Sequence, residues 1–265
     1  LGYNIYPEYF AKVKMPLINR YIILIKKQFH LYFFKKNAGF YYTETSDVSN
    51  RLSKLLKVSE ENIFSIGNTY SHVFDKPIIE YNLLPARRNN EFRLITISSE
   101  NPHKNLNIIK SIIPILNESG LNVVFILTLP DKLFNREFKE YKEHIINLGP
   151  VPLSYCPYLY SNSDAVFLPT LVECFSASYP EAMKMKKPIL TSDLSFAHTV
   201  CGDAAEYFNP LDAQDIAKKI MNLATDRKRQ AELVLKGENR LSYFEKPYSR
   251  AKKIIEVCKN ICSSK

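Results

Sequence analysis

Residues 163–193 read SDAVFLPTLVECFSASYPEAMKMKKPILTSD. Residues 165–168 are a short apolar run and 189–191 another, each the length of a buried strand. Between them, the stretch from Ser176 or Ser178 to Lys186 predicts a helix. Strand, helix and strand in one short span make a βαβ unit, which joins parallel strands and lays its helix across the sheet. The alternation continues outward. Toward the N-terminus, 94–97 predicts a strand, and 106–116 a helix with apolar residues at 106, 108, 109, 112, 113 and 116, stopped by Gly120. Then 123–128 predicts a strand, 134–146 a polar helix, 148–151 a short strand and 153–160 one or two helical turns. Toward the C-terminus, 212–224 and 226–239 predict helices, each opening on an Asp that can cap it. The expected fold class is α/β: a Rossmann-like parallel sheet flanked by helices.

The first 75 residues are patterned differently. Residues 21–36 predict a basic, aromatic helix, 40–43 a strand, 48–56 a second helix and 63–66 another strand. These make at most half of a second Rossmann-like layer. Residues 75–91 carry Pro77, Pro85 and the paired Arg87 and Arg88, a linker composition. The expected division is a partial domain and linker over 1–80, a main Rossmann-like domain over 81–245, and a C-terminal helix over 246–265 that packs with either part.

The 265 residues suffice for one large domain or two small ones. With 46% hydrophobic and 24% charged residues, disordered, collagen-like and coiled-coil classes are excluded. Glycine is scarce: the chain has 7, where ordinary usage would give roughly 18. No two stand closer than 28 residues apart, which excludes a G-x-G-x-x-G loop, a P-loop and a G-x-S-x-G elbow. Lys and Arg exceed Asp and Glu by 36 − 27 = +9, so anionic partners are expected. Five cysteines form no C-x-x-C pair and follow no signal-peptide pattern, which fits buried thiols in a reducing cytosol. Cys258 and Cys262 lack a His at ligand spacing, so no zinc site is expected there. The apolar run 22–25 stops at Lys26 and Lys27, far short of the ~18 residues of a membrane span, so a soluble or peripheral chain is expected. The chain opens Leu-Gly-Tyr, which reads as the middle of a protein.

The chemistry concentrates in 168–183. Glu173 and Glu181 are separated by seven residues, at the carboxyl end of a strand where open α/β sheets bind ligands. A helix N-terminus there can hold a diphosphate without glycines. The same spacing fits a capping box in which Glu181 bonds back to the Ser178 amide, and spacing alone leaves both readings standing. A second segment, SSENPHKNL at 98–106, also links a strand to a helix. Lys104 falls in a first turn, where the dipole disfavours a cation; it either faces a nearby anion or reaches into water.

Taken together, PHKNL (102–106), LGPV (148–151), SDAVFLPT (163–170), ECFSASYPEAM (173–183), KPILTSD (187–193) and CGDAAEYFNPLD (201–212) resemble the retaining glycosyltransferases of family 4, with two Rossmann-like domains in the GT-B arrangement. Their order and spacing carry the resemblance. It implies that Glu181 bonds the nucleotide ribose, that Glu173 faces the donor-sugar hydroxyls, and that Phe175, Ser176 and Ala177 present amides to the sugar and diphosphate. Lys104 would neutralise the diphosphate, Pro150 and Val151 would meet the base, and Thr170 would line the same cleft. Glu173 and Lys104 are thus the expected catalytic pair. The implied donor is UDP- or GDP-linked, the acceptor a glycan or lipid-linked molecule. Neither a cofactor nor a metal is implied, which agrees with the absence of any Asp-x-Asp.

The sequence departs from the family in places. Ser98 and Ser99 stand where an Arg is frequent, so one phosphate contact is lost or supplied elsewhere, with Ser99 kept among the expected donor-binding residues, and Thr199 replaces a frequent Glu beside His198, read as a surface residue. Residues 1–75 match only the end of the family's N-terminal domain, through FYYTETSDVSNRL and NIFSIGN. The expectation is a truncated chain that binds donor and turns over poorly, in the cytoplasm or at the inner face of the membrane. Two alternatives stay open: a nucleotide-sugar epimerase of GT-B type, and a non-catalytic nucleotide-binding domain. RYIILIKKQFHLYFFKK (20–36) fits a domain helix burying Ile22, Ile23, Phe29 and Phe33, or a helix lying on an anionic membrane. Stacking on nucleic acid is a further reading of that stretch, and no nucleic-acid partner is expected.

Overall fold

In the computed structural model, which describes residues 2–99 and 101–263, two helical turns open the chain: α1 (Gly2–Ile5) and α2 (Pro7–Phe10). The long helix α3 (Leu17–Asn37) follows Pro16 and buries no residue fully. Ile22, Phe29 and Phe33 are 42%, 60% and 51% exposed, and Ile23 is half-buried, so α3 does not place them in a core of this chain. Next, β1 (Tyr41–Thr43), α4 (Ser46–Leu56) and β2 (Ile63–Ser65) form a small βαβ unit with parallel strands. The Thr45 hydroxyl caps α4 by accepting the Val48 N–H at 3.3 Å. Residues 76–91 contain no helix or strand, yet they are pinned. Arg87 donates to Asp164 Oδ2 at 2.7 Å and to the Asn162 carbonyl at 2.8 Å.

The larger sheet begins with β3 (Phe92–Thr96), α5 (Ile109–Glu118), β4 (Val123–Leu127), α6 (Asp131–Glu137) and β5 (Ile145–Asn147). It continues with α7 (Cys156–Ser161), β6 (Ala165–Leu168), α8 (Ser178–Lys184), β7 (Ile189–Ser192), α9 (Ser195–Cys201) and β8 (Glu206–Phe208). Helices α10 (Ala213–Thr225), α11 (Arg227–Leu241) and α12 (Pro247–Ser263) close the chain. All six strands are parallel, in the order β5-β4-β3-β6-β7-β8. Every residue of β3, β4, β6 and β7 is buried, as a sheet covered on both faces requires. Alternate residues feed two cores. Leu94, Phe125, Phe167 and Leu190 pack toward α5 and α10; Ile95, Ile126, Val166 and Ile189 pack toward α7, α8 and α9. The second core also takes in Ile5, Tyr6, Val13 and Leu52, so the N-terminal part and the large sheet share one apolar interior.

Several local expectations are corrected. Residues 134–146 are not one helix: α6 ends at Glu137, because Phe138 turns out of helical geometry (φ −127°, ψ 3°) to bury its ring. The strand expected at 148–151 lies at Ile145–Asn147 instead. The Asn147 side chain bonds both the N–H and the carbonyl of Leu129 at 2.9 Å, and Gly149 at φ +68° takes the chain away from the sheet. The sixth strand, β8, has only three residues, too few for a pattern to mark it in the sequence. The cysteines are not uniformly buried: Cys156 and Cys201 are, Cys174 is half-buried, and Cys258 and Cys262 on α12 are exposed. Gly237 of α11 faces Met183 of α8, where a Cβ would make ordinary contact at 3.4 Å with Met183 Cγ.

Candidate functional site

From β3 the chain winds through β4 to β5 at one edge, then crosses back to β6 and on to β8 at the other. The strand order therefore reverses between β3 and β6. In open α/β sheets the crevice at such a switch point, beyond the carboxyl ends of the strands, is where ligands bind. The two loops that flank it here are 97–105 after β3 and 169–177 after β6.

The first loop ends in a 3₁₀ turn, Pro102–Lys104, and Asn105 adopts a left-handed conformation (φ 55°) with its side chain on the Pro210 carbonyl at 2.8 Å. That turn aims Lys104 across the crevice, where its Nζ pairs with Glu173 Oε2. Both side chains are about four-fifths buried, at 18% and 19% exposure, so the cation is held rather than free in water. The loops also join through the backbone, Leu171 N–H donating to the His103 carbonyl at 2.7 Å. His103 itself is driven down to about 4 by burial and by the neighbouring Lys104 charge, so its ring is neutral near pH 7. Its Nδ1 meets the Tyr3 hydroxyl at 3.1 Å.

The second loop is largely buried. Thr170 is 4% exposed and Ser176 9%. Among the described residues, none accepts a hydrogen bond from the backbone N–H groups of Phe175, Ser176 or Ala177. Phe175 and Ala177 are half-buried, so these amides are open to solvent or to an acceptor from outside the described residues. Four residues after Ala177, Glu181 sits inside α8 at 8% exposure. It does not cap the helix. The residue at the N-cap position is Ala177, which makes no side-chain cap bond, and Glu181 Oε2 instead accepts the Tyr160 hydroxyl at 2.9 Å. The capping-box reading is thereby excluded. Burial raises the Glu181 carboxyl above its usual range, with the Tyr160 hydrogen bond acting in the opposite direction.

The remaining sequence-selected residues lie further out. Ser99 is exposed; its hydroxyl takes the Asn101 amide at 2.9 Å, and it lines an open cleft of about 430 Å³ together with Lys14, Leu129 and Phe138. Phe175 lines a second cleft of about 270 Å³ with Glu44, Gly67, Arg240 and Phe244. Pro150 is exposed and Val151 half-buried, just beyond the Gly149 turn. The structure thus brings together Lys104, Glu173 and the 169–177 loop, with Glu181 one helical turn further on. It does not bring Ser99, Pro150 or Val151 into hydrogen-bonding contact with them.

The profile of the family described as Glycosyl transferases group 1 matches residues 85–240. The chain belongs to the group 1 glycosyl transferases. Over 182 residues it is 25% identical to the O-antigen chain mannosyltransferase RfbU of Salmonella typhimurium, a match covering 65% of this chain and 51% of that protein. The chain therefore spans about half the length of the curated relative it matches. Among solved structures, Anabaena HepE in complex with UDP and glucose superposes with a TM-score of 0.69 at 16% identity, covering 88% of this chain and 66% of that one. A glycosyltransferase from Rickettsia africae gives 0.70 at 15% identity, with 88% and 68% covered. Both likenesses show the fold, which is of GT-B type.

Three features of the site carry no signal in the sequence. Tyr160 carries no mark in the sequence, because an apolar run of tyrosines and leucine at 158–160 reads as core. Glu44 follows β1 and reaches the same cleft as Phe175; burial raises its carboxyl despite the Asn68 amide bonded to it, and Glu173 adds a like charge. Tyr3 reaches the His103 ring from 100 residues away, a contact that exists only once the chain has folded.

Proposed function

We propose that this chain forms the donor side of a retaining hexosyltransferase using a UDP- or GDP-linked sugar. The observation that carries the reading is the Lys104–Glu173 pair beside the 175–177 amides, for which no described residue is an acceptor, at the sheet's switch point. In this reading the diphosphate lies between Lys104 Nζ and those amides, and the ribose hydroxyls bond Glu181. Glu173 exchanges its lysine for hydroxyls of the sugar, with Thr170 beside it, while the base lies over Pro150 and Val151. Departure of the nucleoside diphosphate builds negative charge on the leaving oxygens, and a held cation with fixed amides stabilises it without reorganisation. The acceptor hydroxyl attacks from the face the phosphate leaves, and a phosphate oxygen takes its proton. No step calls on a metal. The RfbU relative, described as a mannosyltransferase of O-antigen chains, supports a hexose donor and a glycan or lipid-linked acceptor. HepE, solved with UDP and glucose, supports a nucleotide-sugar.

Cytoplasmic placement follows from the donor chemistry, and the basic, exposed α3 is proposed to lie against anionic lipid at the membrane surface. No described helix is long and apolar enough to cross a membrane. Isothermal titration of the chain with UDP and GDP tests the reading. One of them binds the wild type, and Glu181→Ala weakens that binding by about tenfold or more, the worth of a hydrogen-bonded charged acceptor. If neither nucleotide binds the wild-type chain, the donor-site assignment is wrong.

A further inference from the structure

Glu181 is an unusual carboxylate. It is 8% exposed, and its side chain forms no ion pair with any described Lys, Arg or His. Among the described residues two titratable groups face it, both on α7: the Tyr160 phenol and the Cys156 thiol. The thiol is pushed up to about 12 by burial and by the Glu181 charge, so it is neutral and no counter-ion. Tyr160 is wholly buried, with its phenol raised far out of reach of titration, and is therefore a permanent O–H donor. The Ser178 hydroxyl faces that phenol from the first residue of α8. Tyr160 reaches Oε2 alone. Oε1 accepts nothing from the described residues, and it is not sealed away as an orphaned buried atom.

A buried carboxylate costs free energy unless its lone pairs are met, and a neutral donor meets one while leaving the full charge for a ligand. We propose that Tyr160 is a positioning residue for Glu181, fixing Oε2 so that the carboxylate presents its remaining acceptor sites to a vicinal diol such as that of a ribose. This rests on the donor-site reading above. It adds that the second hydrogen bond is supplied from α7, behind the site, by a residue that never touches the ligand.

The sign of the consequence is fixed. Burial raises the Glu181 carboxyl and the Tyr160 bond lowers it, so removing the phenol raises it further. At a pH near that titration, less of Glu181 is then ionised, and a diol loses its acceptor; well above it the loss shrinks. The experiment uses the full chain and Tyr160→Phe, which keeps the ring packed against Phe74. Carbon-detected NMR follows the Glu181 carboxyl through a pH titration without ligand. The midpoint is expected to rise in Tyr160→Phe.

In parallel, the affinity of UDP or GDP, whichever the wild type binds, is measured across the same pH range. The expected loss is about tenfold at the acid end, narrowing as pH rises, and smaller for the matching 2′-deoxynucleotide. In a Glu181→Gln background Tyr160→Phe is expected to lose no pH-dependent increment. An unmoved midpoint overturns the proposal whatever the nucleotide does, as does an equal loss at every pH, which a merely structural tyrosine would give. A moved midpoint with no nucleotide bound keeps the Tyr160–Glu181 coupling and overturns the donor-site reading instead.

Discussion

At the residue scale the centre of the account is a lysine whose charge is already spoken for. Lys104 Nζ rests on Glu173 Oε2 with both side chains mostly buried, so an arriving diphosphate competes with a carboxylate. The pair holds the cation in place. Lys104→Ala is therefore expected to weaken nucleoside diphosphate by roughly tenfold or more and the parent nucleoside hardly at all, since only the diphosphate meets the charge. Titration calorimetry with both ligands checks this, and an equal loss for both would mean that the substitution merely disturbs the loop. The sequence made Lys104 and Glu173 legible through their motifs, and the resemblance set both at one donor; the direct Lys104–Glu173 ion pair across the crevice is what no residue pattern encodes. Glu181 was legible as a residue and not as a partner: Ser178 three places before it matched a capping box, and only the packing of α7 on α8 shows that Tyr160 takes the bond.

At the element scale, legibility tracked how local the determining interactions are. The Asp212 and Asp226 caps were readable because each acts within three residues: Asp212 Oδ1 accepts the Gln214 and Asp215 amides at 2.9 and 3.2 Å, and Asp226 Oδ1 accepts the Arg229 amide at 2.8 Å. Replacing either by Ala is expected to cost about 1 kcal/mol, with Asp212→Ala the costlier because two amides lose their acceptor. Urea unfolding of both variants measures the difference, and no change for Asp212→Ala would show that water replaces the cap. The β5 strand was misplaced because its limits are set from outside the segment. Asn147 pairs with Leu129, and Phe138 leaves the helix to enter a core built by α5 and β4. A hydrophobicity pattern contains neither partner.

At the scale of the whole molecule, the small βαβ unit and the large sheet are tied by apolar and polar contacts alike. Tyr6, wholly buried, donates to Asp47 at 2.8 Å, and Asp47 also accepts from Arg51 and from Ser195 on α9. Arg250 on α12 donates to the Gly67 carbonyl at 2.9 Å, so the last helix reaches the first part of the chain. These ties set α1 over the crevice, where a Cβ on Gly2 would stand 3.2 Å from Val172 Cγ1. The glycine scarcity acquires a meaning here. A chain with no glycine-rich loop still presents, at a switch point, three amides at 175–177 for which no described residue is an acceptor, and these are the proposed phosphate holder.

The most direct test is a crystal structure of the chain with the nucleoside diphosphate that binds it. The account predicts density for the diphosphate between Lys104 Nζ and the 175–177 amides, with both ribose hydroxyls on Glu181. A nucleotide seated instead in the cleft lined by Ser99 and Phe138, with the Lys104–Glu173 pair undisturbed and Glu181 unbound, would contradict it.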